Sequence, residues 1–173
     1  MIKRLVNGAA DLCSSLGLWI SAALLVYIVV HIMLEIILRN FFGSSTSSMG
    51  EYVGYAMGAM TYLAIAHTFA SRRHVRVSLL RSFTAGRERI GVIVELFCIG
   101  VTFAAFSFVS WYIWKVLARD FSRGSVSATL TETPTWYIDA AVLTGLVFFL
   151  VQLLSSAIDV LISGVPEDIA EGD

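Results

Sequence analysis

Apolar residues fall along this chain in four long blocks rather than in alternation, and each block is bounded by a short polar or charged stretch. The blocks extend from about Leu16 to Leu38, Glu51 to Phe69, Ile90 to Leu117 and Pro134 to Leu161. Each holds the roughly 20 residues that a helix needs to cross a hydrocarbon core of about 30 Å. The pattern predicts four helices, because a membrane barrel would instead show many alternating segments of about 10 residues. The third block exceeds a single crossing and is expected to tilt or to project beyond the hydrocarbon.

Two helix starts are marked chemically. Ser48 followed three residues later by Glu51 reads as a capping box for the second helix. Thr133 followed by Pro134 reads as an N-cap and first helical position for the fourth.

Composition turns these helices into membrane spans. Of 173 residues, 57% are hydrophobic and only 14% charged, with a mean hydropathy of +0.79, whereas about a quarter of a soluble domain is charged. The fold class is therefore an all-α integral membrane protein with four transmembrane helices. A single membrane domain covers 1–173, and the acidic tail at 164–173, which contains "VPEDIAEGD", reads as disordered. Lys3 and Arg4 begin the chain as a signal peptide would, but the apolar run that follows is too long and lacks a small-residue cleavage pattern. It is expected to remain as the first span. Cys13 and Cys98 lack a C-x-x-C spacing and are expected to be packed thiols rather than a disulfide or redox pair.

The net charge of −1 carries little information, but the placement of the charges carries more. Lys3, Arg4, Arg72, Arg73, Arg76, Arg81, Arg87 and Arg89 fall on one side of the four spans, and Arg39, Lys115, Arg119 and Arg123 on the other. The excess of basic residues predicts that both termini are cytoplasmic. Tyr52, Tyr55, Trp111, Tyr112, Trp114, Trp136 and Tyr137 then form an outer aromatic belt, with Trp19 as the inner counterpart. Between the second and third spans, Val75, Leu79 and Phe83 share a face that excludes Arg72, Arg76 and Arg81. That loop is either a short amphipathic helix lying on anionic lipid or a solvated segment that sets topology.

Ionisable groups within spans cost about 2.5–3.5 kcal/mol each on insertion scales, so each is a candidate functional residue. Here they are His31, Glu35, Glu95, Asp139 and Asp159, with Arg39 and Glu51 at the outer boundary. In "HIMLEIILRN" the spacing sets His31, Glu35 and Arg39 along one stripe of the first helix, with Glu51 opening the next at a similar level. A haem held between His31 and His67 would make the chain a redox-enzyme anchor. Their depths differ by roughly 18 Å at 1.5 Å per residue, which argues against one iron between them. A stand-alone transporter would need polar groups continuing across the bilayer, and the outer cluster lies far from Glu95 and His67. Gly54 and Gly58 form a G-x-x-x-G pattern that supports close helix packing and nothing more.

Several short motifs then occur in order: "EIILRNFF" with Glu35 and Arg39, "GEYVGY" with Glu51, "RRHVRVSLL" after the second span and "TPTWYIDAAVLTG" opening the fourth. With these motifs nearly the whole chain resembles the small membrane subunit, DctQ-like, of tripartite ATP-independent periplasmic (TRAP) transporters. That family commonly places a tryptophan shortly before the second-span glutamate, where this chain has Ser47, Ser48 and Met49.

The resemblance implies an inner-membrane accessory subunit with no catalytic residue, substrate site, metal or cofactor of its own. Its implied partners are a large DctM-like subunit, which carries a small organic acid with sodium by an elevator movement, and a periplasmic solute-binding protein. Membrane lipids are a further expected partner, and nucleic acid is not. Glu35, Arg39 and Glu51 are then expected to form a charge network that fixes the first two helices in register or meets the large subunit. The outer loops at about 40–50 and 118–133 would dock the binding protein through Arg119, Asp120, Arg123 and Glu132. The alternative for those four is an ordinary set of solvated loop charges.

Overall fold

The computed structural model describes residues 2–44, 49–71, 88–128 and 132–163, and apart from one isolated bridge the regular structure among them is helical. Four helices follow in order: α1, Ile2–Phe42; α2, Met49–Ala70; α3, Glu88–Arg123; and α4, Trp136–Ser163. Ser48, the amphipathic segment with Arg72, Arg73, Arg76 and Arg81, and the acidic tail lie outside the described residues.

Among the described residues three helices are long and apolar enough to cross a membrane, over Asn7–Phe42, Gly91–Arg123 and Trp136–Ile162. At 22 residues α2 has the length, but Glu51, its glycines and His67 dilute its apolar character and it is not among the three. It packs between α1 and α4, with Ala56, Ala59, Leu63 and Ala66 buried. α1 and α3 outrun the expected spans, with 41 and 36 residues, or about 60 and 54 Å at 1.5 Å per residue. α1 starts at Ile2 rather than near Leu16 because nothing in "NGAADLCSS" breaks a helix that alanine and leucine favour.

α1, α2 and α4 each pack against the other two, while α3 lies against α4. Ser21 meets Met60 and Ser14 meets His67, so α1 and α2 run antiparallel. Asn7 near the start of α1 meets Asp159 near the end of α4, so this pair is antiparallel too. A core cluster of Ala66, Ile99, Phe149, Leu153 and Val160 joins α2, α3 and α4. Phe149 receives Phe69 and Phe106 edge-on, at centroid distances of 5.5 and 4.7 Å.

α1 is built with its small and polar residues inward. Its buried positions are Ala10, Ser14, Gly17, Ser21, Ile28 and Glu35, at steps of three, four or seven residues. That repeat averages about 3.5 residues and keeps a narrow seam turned to the same neighbours along a long helix. Leu12, Trp19, Val26, Val30 and Met33 point away from the bundle. Lipid chains are as apolar as leucine, so large side chains lose nothing by facing them, and helices associate through close packing instead. At the closest crossing, a methyl group on Gly17 would collide with the Leu63 carbonyl oxygen, and one on Gly145 would stand 2.5 Å from the Tyr62 carbonyl. The backbone of α2 is thus gripped between two glycines, one from α1 and one from α4.

Candidate functional site

At its C-terminal end α3 stops on Gly124, whose φ of 61° suits a residue without a side chain. The Gly124 N–H donates to the Phe121 carbonyl at 3.4 Å and the Ser125 N–H to the Asp120 carbonyl at 3.0 Å, the paired bonds that close a helix C-terminus. The chain then turns back as a narrow loop. Ser127 N–H donates to Thr133 O at 2.8 Å and Thr135 N–H to Ser125 O at 3.2 Å, on either side of a bridge between Val126 and Pro134. Pro134 is therefore part of this loop, and the expected Thr133–Pro134 helix start is not formed. α4 begins at Trp136 because Pro134 and Thr135 are held in extended pairing and Thr133 turns its hydroxyl to Tyr52 instead, at 3.3 Å.

Side chains fasten this loop to two helices. The Asp120 carboxylate accepts from Thr135 Oγ1 at 3.0 Å and from Ser125 Oγ at 3.4 Å. Ser127 hydrogen-bonds Tyr55, whose hydroxyl also donates to Glu51 Oε1 at 2.7 Å. Asp120, expected as a docking charge, is thus turned into the loop. Arg119 stands beside it with Nε 3.4 Å from Asp120 Oδ1 and a side chain 54% exposed. Arg123 and Glu132 are exposed, and Glu132 has a positive φ of 47° at the turn.

The expected stripe on α1 divides. Glu35 is buried at 7% exposure, His31 is half-buried and Arg39 is exposed. The reason is geometric: steps of four residues drift around a helix by about 40° each, so Arg39 leaves the face that holds Glu35. His31 stacks on Tyr27 at 5.4 Å, and its Nε2 is buried without a hydrogen-bond partner among the described residues. Glu51 is half-buried at the start of α2.

A second polar set lies where the start of α1 meets the end of α4; Asp159 and His67 were visible in the sequence as polar groups within spans, but their partners on α1 were not. Asn7 donates to both Asp159 oxygens at 3.2 and 3.3 Å, and its own oxygen accepts from Ser155 at 2.9 Å. Further along the seam, Ser14 Oγ lies 3.0 Å from His67 Nδ1. Ser21 donates to Gly17 O at 2.7 Å and Met60 O at 3.1 Å. The seven-residue spacing of Asn7, Ser14, Ser21 and Glu35 is the signal that would have revealed this seam. The track is broken by the apolar Leu24 and Ile28, so it does not cross the bundle.

His31 sits seventeen residues along α1 from Ser14, the partner of His67, a separation of about 25 Å. One iron cannot join them. Cys13 and Cys98 are both free thiols, and Cys98 faces outward rather than into packing, because it follows Phe97 on the side of α3 turned from α4. Of the G-x-x-x-G pair, Gly58 lies against Ile138 and Gly54 is open. No group of three metal-binding side chains occurs among the described residues.

Comparison with known families gives one result. The family described as tripartite ATP-independent periplasmic transporters, DctQ component, matches residues 28–162. No curated protein and no solved structure matches the chain.

Proposed function

This chain belongs to the DctQ component family of the tripartite ATP-independent periplasmic transporters, and from that premise we propose that it is the fixed scaffold beside a large elevator-type transport subunit. It is a small membrane subunit of a transporter rather than an enzyme of known type. In the proposed assembly all four helices cross the inner membrane with both termini cytoplasmic. The large subunit moves a small organic acid with sodium, and a periplasmic solute-binding protein delivers it.

The observation that carries the scaffold reading is the grip of Gly17 and Gly145 on the backbone of α2. Backbone-to-backbone packing leaves no slack for sliding, which suits a part that stays still while its partner moves. α2 carries Glu51 near its start and His67 near its end, and a protein partner would add cover for these polar groups. Glu35, Arg39 and Glu51 are proposed to hold the outer ends of α1 and α2 in register against the large subunit. Arg123 and Glu132 are the proposed docking charges for the binding protein, displayed on a loop that Asp120 keeps in shape.

Co-expression of this chain, tagged, with its cognate large subunit tests the reading. Detergent purification followed by mass measurement is expected to yield a stoichiometric pair with no visible absorption band. Recovery of this chain alone would overturn it, and a haem-like spectrum would favour the redox-anchor alternative.

A further inference from the structure

Where α3 and α4 meet at the loop end of the bundle they leave an apolar groove of about 360 Å³, lined by Trp114, Leu117, Ala118, Phe121, Trp136 and Ala140. The α3 residues recur at i, i+3, i+4 and i+7, so they form one face of that helix. Phe121 and Trp136 meet edge-on across it at 5.6 Å. The volume lies at the small end of the roughly 300–1,000 Å³ typical of ligand sites.

Beside this face stand two cations, Lys115 and Arg119, one helical turn apart. Both are exposed, and both lie inside the apolar span Gly91–Arg123. Lys115 is held with its ammonium 5.2 Å from the centre of the Trp111 ring, and Arg119 stays half exposed. A cation on the outer surface of a spanning helix is costly unless it reaches an anion at the membrane boundary. Asp120 is already bonded by Thr135 and Ser125, so it only partly answers Arg119. Arg123 lies a turn beyond, where the helix ends and the loop begins.

We propose that this groove seats one anionic phospholipid, with an acyl chain between Trp114, Phe121 and Trp136 and the phosphate against Lys115 and Arg119. The site depends on α3 and α4 crossing the membrane and on nothing else in the assembly. Depth divides the work of the cations: Lys115 and Arg119 face lipid, and Arg123 faces the aqueous side.

The test is native mass spectrometry of the full chain in mild detergent, with phosphatidylglycerol and phosphatidylcholine of matched acyl chains supplied in equal amounts. Wild type is expected to retain phosphatidylglycerol preferentially, by about fivefold for each cation near the phosphate. Lys115→Gln, which touches nothing in the loop, is expected to remove about fivefold, Lys115→Gln with Arg119→Gln to abolish the preference, and Lys115→Arg to keep it. Ala140→Trp, filling the groove, is expected to lower retention of both lipids. Equal retention by wild type, or a preference that survives the double substitution, would overturn the proposal. A double variant that loses affinity for the solute-binding protein while keeping its lipid preference would also overturn it, by assigning these cations to a protein contact.

Discussion

Ser14 on α1 and His67 on α2 hold each other at 3.0 Å in a bundle where apolar burial does little to bind helices together. Ser14 is itself buried, so its hydroxyl has no access to water. Ser14→Ala is expected to destabilise the isolated chain by about 0.6 kcal/mol, with about 1.7 kcal/mol as the upper bound for such bonds. Detergent-induced unfolding followed by circular dichroism measures it. A change within error would mean that the contact contributes nothing.

Gly145→Val is expected to cost more, because the added atoms meet backbone rather than a yielding side chain. The first of them would stand 2.5 Å from the Tyr62 carbonyl and 2.8 Å from the Leu63 nitrogen. Forced separation of packed elements typically costs about 1–3 kcal/mol. Gly100→Ala, where the space is open, is the control and is expected to leave unfolding unchanged or slightly improved.

Asp120→Ala removes the acceptor for Thr135 and Ser125 without touching the bundle interior. Hydrogen exchange at residues 124–128 and 132–135 is expected to accelerate by about tenfold, the equivalent of one charge-assisted bond of roughly 1.5 kcal/mol. Exchange in α2 is expected to stay as it was. If the loop exchanges at its original rate, the carboxylate is not what keeps it folded.

The different burial of Glu35 and Arg39 separates a fold role from a partner role. In the isolated chain Arg39 is exposed, so Arg39→Ala is expected to change its stability by less than about 0.5 kcal/mol. In the complex, the same substitution is expected to lower recovery of the large subunit in co-purification if Arg39 meets it there. Equal recovery of wild type and variant would remove Arg39 from the interface.

What could be read from the sequence was whatever depends on one helix at a time. Block lengths gave the four helices, and the block around Glu51 gave the start of α2 to within two residues. Relations between helices were harder to see. The Gly54–Gly58 spacing drew attention because it is local, yet the close crossing uses Gly17 and Gly145, which are 128 residues apart in the chain. His31, Glu35 and Arg39 looked like one stripe at i+4 spacing, whereas α1 turns inward on a seven-residue repeat. Asp120 looked like a surface charge because its partners, Ser125 and Thr135, become neighbours only once the loop has folded back.

The seam along α1 also bears on what would be needed to move this protein into water. Recoding the exposed Leu12, Trp19, Val26 and Met33 as charged residues would make the outside of α1 compatible with water. The inside would then fail, because Ala10, Ser14, Gly17 and Ser21 bury too little apolar surface to hold α1 in an aqueous solvent. A soluble analogue would have to be redesigned at its centre as well as on its exterior. The bilayer is in that sense a structural component of this bundle, because only a solvent as apolar as its side chains lets a seam of small residues suffice to hold the helices together.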